Sequence, residues 1–379
     1  MRRPSPAKVL IALGTRPEAI KLLPLIAALR SDPRFTVRLC VTGQHRDLLD
    51  PILAMANIVP DHDLQVMRPG QGLEALTAAL VSGLGAVIAA EKPRRVIVQG
   101  DTATAFCGAL AAFYQRVPVD HVEAGLRSGN TDHPWPEEGH RRAIAALASL
   151  HFAPTARAAS ALQAEGIDPA RIHITGNTVI DALYWVRARL AAEPQLASGL
   201  DTVTQRFAGK RIIGVTCHRR ETVHGDRLAC IAKALRTIAM RDDVALIFPV
   251  HPQPAIRAVM AQALQGHGNV ALIPPLDYPH FVRLIGLSTL MLSDSGGVQE
   301  EAPALGTPVL VMREKTERPE ALIAGGAKLV GTDPARIVAE AGALLDDPAA
   351  YAHMAQERLP YGDGQAAQRI VRLMAQEMA

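Results

Sequence analysis

Residues 289–311 read TLMLSDSGGVQEEAPALGTPVLV. A short apolar run, Leu290 to Leu292, leads into Ser295-Gly296-Gly297, then a helix-like segment, then a second apolar run. Continuous apolar runs of this length suit parallel strands buried on both faces. Alternation of such runs with helices argues for an α/β fold. Small residues where the helix begins let the backbone approach a ligand closely. The free N–H groups there, aided by the helix dipole, attract an anion such as a diphosphate. Glu300 and Glu301, expected in the first turn, suit the two hydroxyls of a ribose. The plain alternative is an ordinary strand–helix turn with acidic capping.

The pattern extends outward in both directions. The second half also carries the runs RIIGVT, VALIFPV, NVALIPP, PVLVMR and AKLVGT. The first half carries KVLIAL, VRLCVT, RRVIVQ, PVDHVE, LHFAPT and RIHITG. Two consecutive series predict two doubly wound, Rossmann-like domains, and 379 residues exceed what one core sustains. The boundary is expected between about Gly176 and Gly209, where AAEPQLASGLDTV is loosely patterned and helix-breaking. The stretch QAAQRIVRLMAQEM predicts an amphipathic helix with Ile370, Val371, Leu373 and Met374 on its apolar side, packing back on the first domain. The expected division is therefore 1–178 plus a C-terminal helix at 363–379, and 179–362.

Composition excludes several classes. The net charge is only +3, and no Lys/Arg block is long enough for nucleic acid. Aromatic residues are 4%, too few for stacking platforms, so a buried small-molecule pocket fits better. The four cysteines, Cys40, Cys107, Cys217 and Cys230, show no zinc spacing and read as reduced core thiols. The start of the chain has too short an apolar run for a signal peptide, and no stretch of about 18 apolar residues is expected to span a membrane. A cytoplasmic protein without metal or cofactor is the expectation.

Polar residues cluster just after the apolar runs, where open α/β sheets bind ligands. His218-Arg219-Arg220 makes a positive corner suited to a phosphate, although a lone His is more often structural. Arg16 sits in the turn after the first strand and Lys21 on the helix that follows; the plain reading is a solvated face. No GxGxxG follows that strand and no GxxxxGK[ST] occurs, so nicotinamide and P-loop chemistry lose support. Asp101, Glu123 and Glu137 each have a structural explanation as caps or first-turn charges. Jointly they suit acid–base work on a phosphate-linked sugar.

The strings GTRPEAIKLLPLI, TGQH, GDTATA, HVEAGLRSGN, PWPEE, HFAPT, TGNTVIDAL, HRRE, PVHP, DSGGVQEEAPALGTPVLVMR and TERPEAL cover most of the chain. In that order they closely resemble the non-hydrolysing UDP-N-acetylglucosamine 2-epimerases. The resemblance implies a glycosyltransferase-B type fold, two Rossmann-like domains facing a cleft, and a homodimer with no metal requirement. It implies catalytic carboxylates in the first domain and UDP binding in the second. Asp101, Glu123 and Glu137 fall on the family's catalytic carboxylates, and His218 on its histidine near the diphosphate. Arg16 and Lys21 match basic residues of the first motif. Ser295, Gly296, Gly297 and Glu301 match the UDP site, with Arg318 beside it and Phe281 near the uridine. Gln44, His45, Gln71 and Arg219 resemble positions lining a second UDP-sugar site in some members. The chain departs from the family at Gly139-His140, where an Asn usually precedes the Arg, and around Gln71. These departures bear on the sugar's substituents and on activation by a second UDP-sugar. The rival readings are an epimerase of a further modified UDP-sugar, the hydrolysing relative, a glycosyltransferase of the same fold, and a UDP-sugar sensor without turnover.

Overall fold

The computed structural model describes residues 5–43, 46–68, 70–219 and 226–378. The chain divides into two compact units, one of residues up to Ala182 together with those from Tyr361 onward, the other Leu183–Pro360.

The N-terminal unit holds a seven-stranded parallel sheet. Its strands are β1 (Ala7–Leu13), β2 (Phe35–Val41), β3 (His62–Asp63), β4 (Arg95–Gln99), β5 (Val119–Val122), β6 (Leu150–Ala153) and β7 (Ile172–Ile174). They lie in the order β3-β2-β1-β4-β5-β6-β7. Pairing places Val9 against Val37 on one side and Arg95 on the other. The order reverses between β1 and β4, and a ligand crevice forms at such a switch point. The turns after β1 and β4 flank it. The helices of this half begin with α1 (Arg16–Ser31), α2 (Arg46–Met55), α3 (Leu73–Glu91), α4 (Ala103–Tyr114) and α5 (Glu137–Leu147).

The C-terminal unit repeats the plan with six parallel strands. They are β8 (Arg211–Thr216), β9 (Val244–Pro249), β10 (Val270–Ile273), β11 (Leu290–Ser293), β12 (Val309–Val311) and β13 (Ala327–Leu329). Their order is β10-β9-β8-β11-β12-β13, with the switch between β8 and β11. Every expected apolar run is a strand. All five residues of β4 and all four of β11 are buried, as a sheet covered on both faces demands. The two-residue β3 was not anticipated: His62-Asp63 is a short polar edge, the usual way to blunt one.

Two expectations need correction. AAEPQLASGLDTV is mostly helical: the helix Thr178–Ala192 runs into it, followed by a 3-10 turn Pro194–Ala197 and the helix Ser198–Gln205. Pro194 interrupts the first helix but opens the turn, because proline is tolerated at a helical first position. The 19-residue α3 is long and apolar enough to cross a membrane by length and composition, contrary to the expectation of no such stretch. Its Leu76, Leu80, Leu84, Val87 and Ile88 are buried in the N-terminal core. Each such side chain contributes about 1.5–3 kcal/mol on burial.

The C-terminal helix Ala366–Glu377 packs against α1 and buries Ile370, Val371 and Met374. Its start is held by buried Asp181, which accepts from Ala366 N (3.2 Å) and Ala367 N (2.8 Å). Gly176 and Gly362 cross so closely that a Cβ on either would lie 3.1 Å from the other's Cα. That crossing fixes Asn177, whose N–H donates to Tyr361 O at 2.6 Å.

Candidate functional site

The turn after β1 is built on Gly14, where a Cβ would collide with the hydroxyls of Thr42 and Thr104. Thr15 then caps α1, and Glu18, three residues into the helix, reaches back to it. The Glu18 side chain is fully buried. Its Oε2 accepts from Gly14 N (3.0 Å), Thr15 N (2.8 Å) and Thr15 Oγ1 (2.8 Å), and its Oε1 from Thr102 Oγ1 (2.7 Å). Burial pushes its pKa up to about 7 against these hydrogen bonds. Arg16, half-buried, starts α1. A cation there faces the positive end of the helix dipole, an arrangement folding alone does not favour.

Glu123 follows β5 with φ +63°, a left-handed backbone that costs a non-glycine residue about 1–3 kcal/mol. Its carboxylate accepts from Lys21 Nζ at 2.6 and 2.8 Å, from Asn177 Nδ2 at 2.9 Å and from Gln99 Nε2. Two residues earlier, buried His121 donates from Nε2 to Gly100 O (2.8 Å). Burial pushes that imidazole down to about 4, so at neutral pH it holds the turn as an uncharged ring.

Asp101, in the turn after β4, pairs with Arg141 Nη2 at 2.7 Å. His140 Nδ1 donates to the Asp101 carbonyl (2.9 Å), and its ring stacks on Phe106 of α4 with centroids 5.1 Å apart. Arg141 also holds buried Glu138 (3.0 Å), which accepts Ser128 N (3.0 Å). The helix α5 is thus clamped to the Asp101 turn, and its first residue is Glu137. Glu137 is half-buried and makes no side-chain hydrogen bond or ion pair among the described residues. The three carboxylates therefore differ: one saturated, one held by a single guanidinium, one open.

In the C-terminal unit, buried Asp294 accepts the backbone N–H groups of His218 and Arg219, each at 2.9 Å. This pins the turn after β8 to the turn after β11. Thr216 and Ser293 share a hydroxyl hydrogen bond of 2.6 Å, and Ser293 Oγ accepts Ser295 N at 3.0 Å. The helix Gly296–Ala304 follows. A Cβ on Gly296 would overlap the Arg318 guanidinium and stand 3.2 Å from Arg219 Nη2. Arg318 pairs with Glu300 and Glu317. Glu317 also meets Arg313 (2.9 Å) and Arg219 (3.4 Å). Burial works to raise the Glu317 pKa, but Arg318, Arg219 and Arg313 outweigh it and hold the carboxyl below its usual range. Three arginines, held in place by Glu300, Glu317 and Asp294, stand beside the N–H groups of a helix start, a combination that binds anions.

His218 is partly exposed and stacks on His251, with centroids 6.4 Å apart. Glu301 is buried and accepts from Tyr278 Oη at 2.7 Å. Burial and that carboxylate push the phenol well above its ordinary value, so it stays a donor. Phe281 lies half-buried on the helix Tyr278–Leu287. Glu300 and Glu301 fall in the second turn, not the first, because the helix already begins at Gly296. Acidic capping therefore does not explain them.

Gln71 lines a cavity of about 570 Å³ in the N-terminal unit, with Leu64, Val66, Arg68, Ala75 and Gly83. Arg219 belongs to the other unit. Gln44 and His45 lie outside the described residues. Among the described residues no group of three or more His, Cys, Asp or Glu side chains is arranged to hold a metal ion.

The residues missed from sequence are mostly the holders. They are Glu18, Gln99, Asn177, Arg141 and Tyr278, while Glu300, expected at the ribose, holds Arg318 instead. Glu18 alone had a local signal, the T-x-x-E capping pattern.

The family profile described as UDP-N-acetylglucosamine 2-epimerase matches residues 27–375. The UDP-N-acetylglucosamine 2-epimerase of Salmonella typhimurium is 49% identical over 369 residues, 97% of this chain and 98% of that protein. The enzyme of that name from Escherichia coli K12 is 49% identical over 367 residues, 96% and 97% of the two chains. A crystal structure of the Neisseria meningitidis UDP-GlcNAc 2-epimerase bound to UDP-GlcNAc superposes with a TM-score of 0.92 at 41% identity, covering 97% of this chain and 100% of that one.

Proposed function

We infer the reaction from a premise: this chain belongs to the UDP-N-acetylglucosamine 2-epimerase family. It interconverts UDP-N-acetylglucosamine and UDP-N-acetylmannosamine by inverting C2. No carbonyl stands beside C2, so direct deprotonation is too difficult. Instead the C1–O bond breaks and UDP leaves with its electron pair. A carboxylate takes the C2 proton, and that C–H pair becomes the C1–C2 double bond. A proton then returns to the other face of C2, and UDP re-adds at C1. No cofactor enters this route.

The observation that carries the reading is the grading of three carboxylates in the N-terminal unit. Asp101, Glu123 and Glu137 have different partners, and moving a proton off one face and onto the other needs carriers of different character. We assign the proton work to these three jointly. Arg16, His218, Arg318 and the N–H groups at Gly296 and Gly297 stabilise the charge that develops on the leaving UDP. Lys21 holds Glu123. Glu301, aimed by Tyr278, suits the ribose hydroxyls, and Phe281 suits the uracil face. The test is proton NMR of the protein with UDP-N-acetylglucosamine in deuterated water. Deuterium at C2 with UDP-N-acetylmannosamine signals is expected. Free sugar with UDP would move the assignment to hydrolysis. Asp101→Asn and Glu137→Gln are each expected to stop exchange while UDP affinity stays within about tenfold, because general acid–base groups contribute to rate far more than to binding. Full turnover in either variant removes that residue from the mechanism.

We also propose a homodimer formed on α3. Its outer face repeats exposed Ala75, Ala78, Ser82, Ala86 and Ala89 at helical spacing. Gln115 Nε2 donates to Gly85 O (2.7 Å), so Phe113 (53% exposed) and Tyr114 (68% exposed) border the same stripe. Small residues flanked by exposed aromatics suit close helix packing better than solvent. Ala78→Glu is expected to give a monomer in sedimentation. A wild-type protein that already sediments as a monomer sinks the idea.

A further inference from the structure

We propose that Glu18 is a positioning residue for the epimerisation, locking the Arg16 turn to the Asp101 turn through Thr102. The inference deepens the reading above and rests on it. The two turns flank the sheet's switch point, one after β1 and one after β4. Glu18 accepts four hydrogen bonds across them, three from Gly14 and Thr15 and one from Thr102. Its donors are chain neighbours of the two site residues: Thr15 precedes Arg16, and Thr102 follows Asp101.

Thr102 Oγ1 does two jobs: it accepts Ala105 N at 3.0 Å, capping α4, and donates its proton to Glu18 Oε1. A helix cap needs only one acceptor, and glutamine closes a capping box as well as glutamate. Glu18 does more than that. Both oxygens are used, and a glutamine would turn an NH₂ toward a donor. A fully buried carboxylate is costly to keep. Burial raises its pKa against the neutral donors of Thr102, Thr15 and Gly14. Retention of a carboxylate there is explained by its acceptor capacity at both ends. Gly14 closes the third side, since a Cβ would strike Thr42 and Thr104.

The test uses full-length protein and two readouts. In C2 exchange from UDP-N-acetylglucosamine, Thr102→Val is expected to lower kcat at least about tenfold with KM within about threefold, because a misplaced reacting group loses rate rather than affinity. Thr102→Ser keeps the hydroxyl and is expected to stay within about threefold of wild type. Glu18→Gln is expected to fall about 50-fold, and adding Thr102→Val to it to cost little more, since the two act through one bond. The second readout, amide hydrogen exchange at Gly14 and Thr15 without substrate, is expected to speed up in Thr102→Val and not in Thr102→Ser. Wild-type kcat or wild-type amide protection in Thr102→Val overturns the proposal. If the wild-type protein shows no C2 exchange at all, the epimerase reading falls. The lock between the turns is then still decided by the amide measurement, faster exchange in Thr102→Val supporting it and unchanged exchange overturning it.

Discussion

Glu123→Gln is expected to lower C2 proton exchange by about a thousandfold, within the range that a positioned acid–base group contributes. It is also expected to destabilise the N-terminal unit, and that double effect sets it apart from Asp101 and Glu137. Lys21 and Glu123 are a buried pair, with side chains 13% and 5% exposed. Removing one charge of such a pair leaves the other uncompensated, at a cost of about 3–5 kcal/mol. The new amide also turns its NH₂ toward either Gln99 or Asn177, which donate to different oxygens of the carboxylate. Donor then meets donor. The backbone adds to the loss, because the left-handed Glu123 is held partly by these same bonds. Lys21→Met should reproduce the stability loss, leaving Glu123 as the unpaired charge. The check is thermal unfolding together with C2 exchange at a temperature where the variant remains folded. Wild-type exchange in folded Glu123→Gln would leave Glu123 as a purely structural hub.

The sheets were legible because burial on both faces forces an apolar run, and a run needs no knowledge of its neighbours. The polar turns after the strands were legible for a related reason: each follows directly where an apolar run stops. The short edge β3 lacked an apolar run altogether. The α3 helix was misjudged because Thr77, Ser82 and two glycines break its apolar string without making it polar. Asp101, Glu123 and Glu137 stood out by residue type at strand and helix ends. Their holders did not, since a Gln99 or an Asn177 acquires meaning only when a crossing such as Gly176 over Gly362 brings it to a carboxylate. The same applies to Glu300 and Glu301, adjacent in sequence but bonded to Arg318 and Tyr278 respectively. Helical geometry turns consecutive residues about 100° apart, so two neighbouring acids take different partners.

Gly296→Ala and Gly297→Ala are expected to separate sharply, although both glycines belong to the same motif. A Cβ at position 296 overlaps Arg318 Nη1 and Cζ and stands 3.2 Å from Arg219 Nη2. Arg318 cannot retreat cheaply, because Glu300 and Glu317 grip it from two sides. The methyl must therefore displace a buried guanidinium from its carboxylates, or tilt the helix start away from Ser295. Either change spoils the alignment of cation and N–H groups that an anion requires. Losing one charge-assisted hydrogen bond is worth about 1.5–3 kcal/mol, or roughly ten- to 150-fold in UDP affinity. At position 297 the nearest atoms to a Cβ are Glu301 Oε2 at 3.5 Å and Ser295 Oγ at 4.0 Å, ordinary contact distances. Neither glycine has a positive φ, so alanine is not strained at either. Gly297→Ala should fold normally and bind UDP within about tenfold of wild type, a loss of no more than about 1.4 kcal/mol. Calorimetric titration of both variants with UDP decides the matter. Equal, large losses would mean that close backbone approach carries the affinity. Equal, small losses would mean that Arg318 moves freely, and the diphosphate would have to be sought away from the Arg318 side of this helix start.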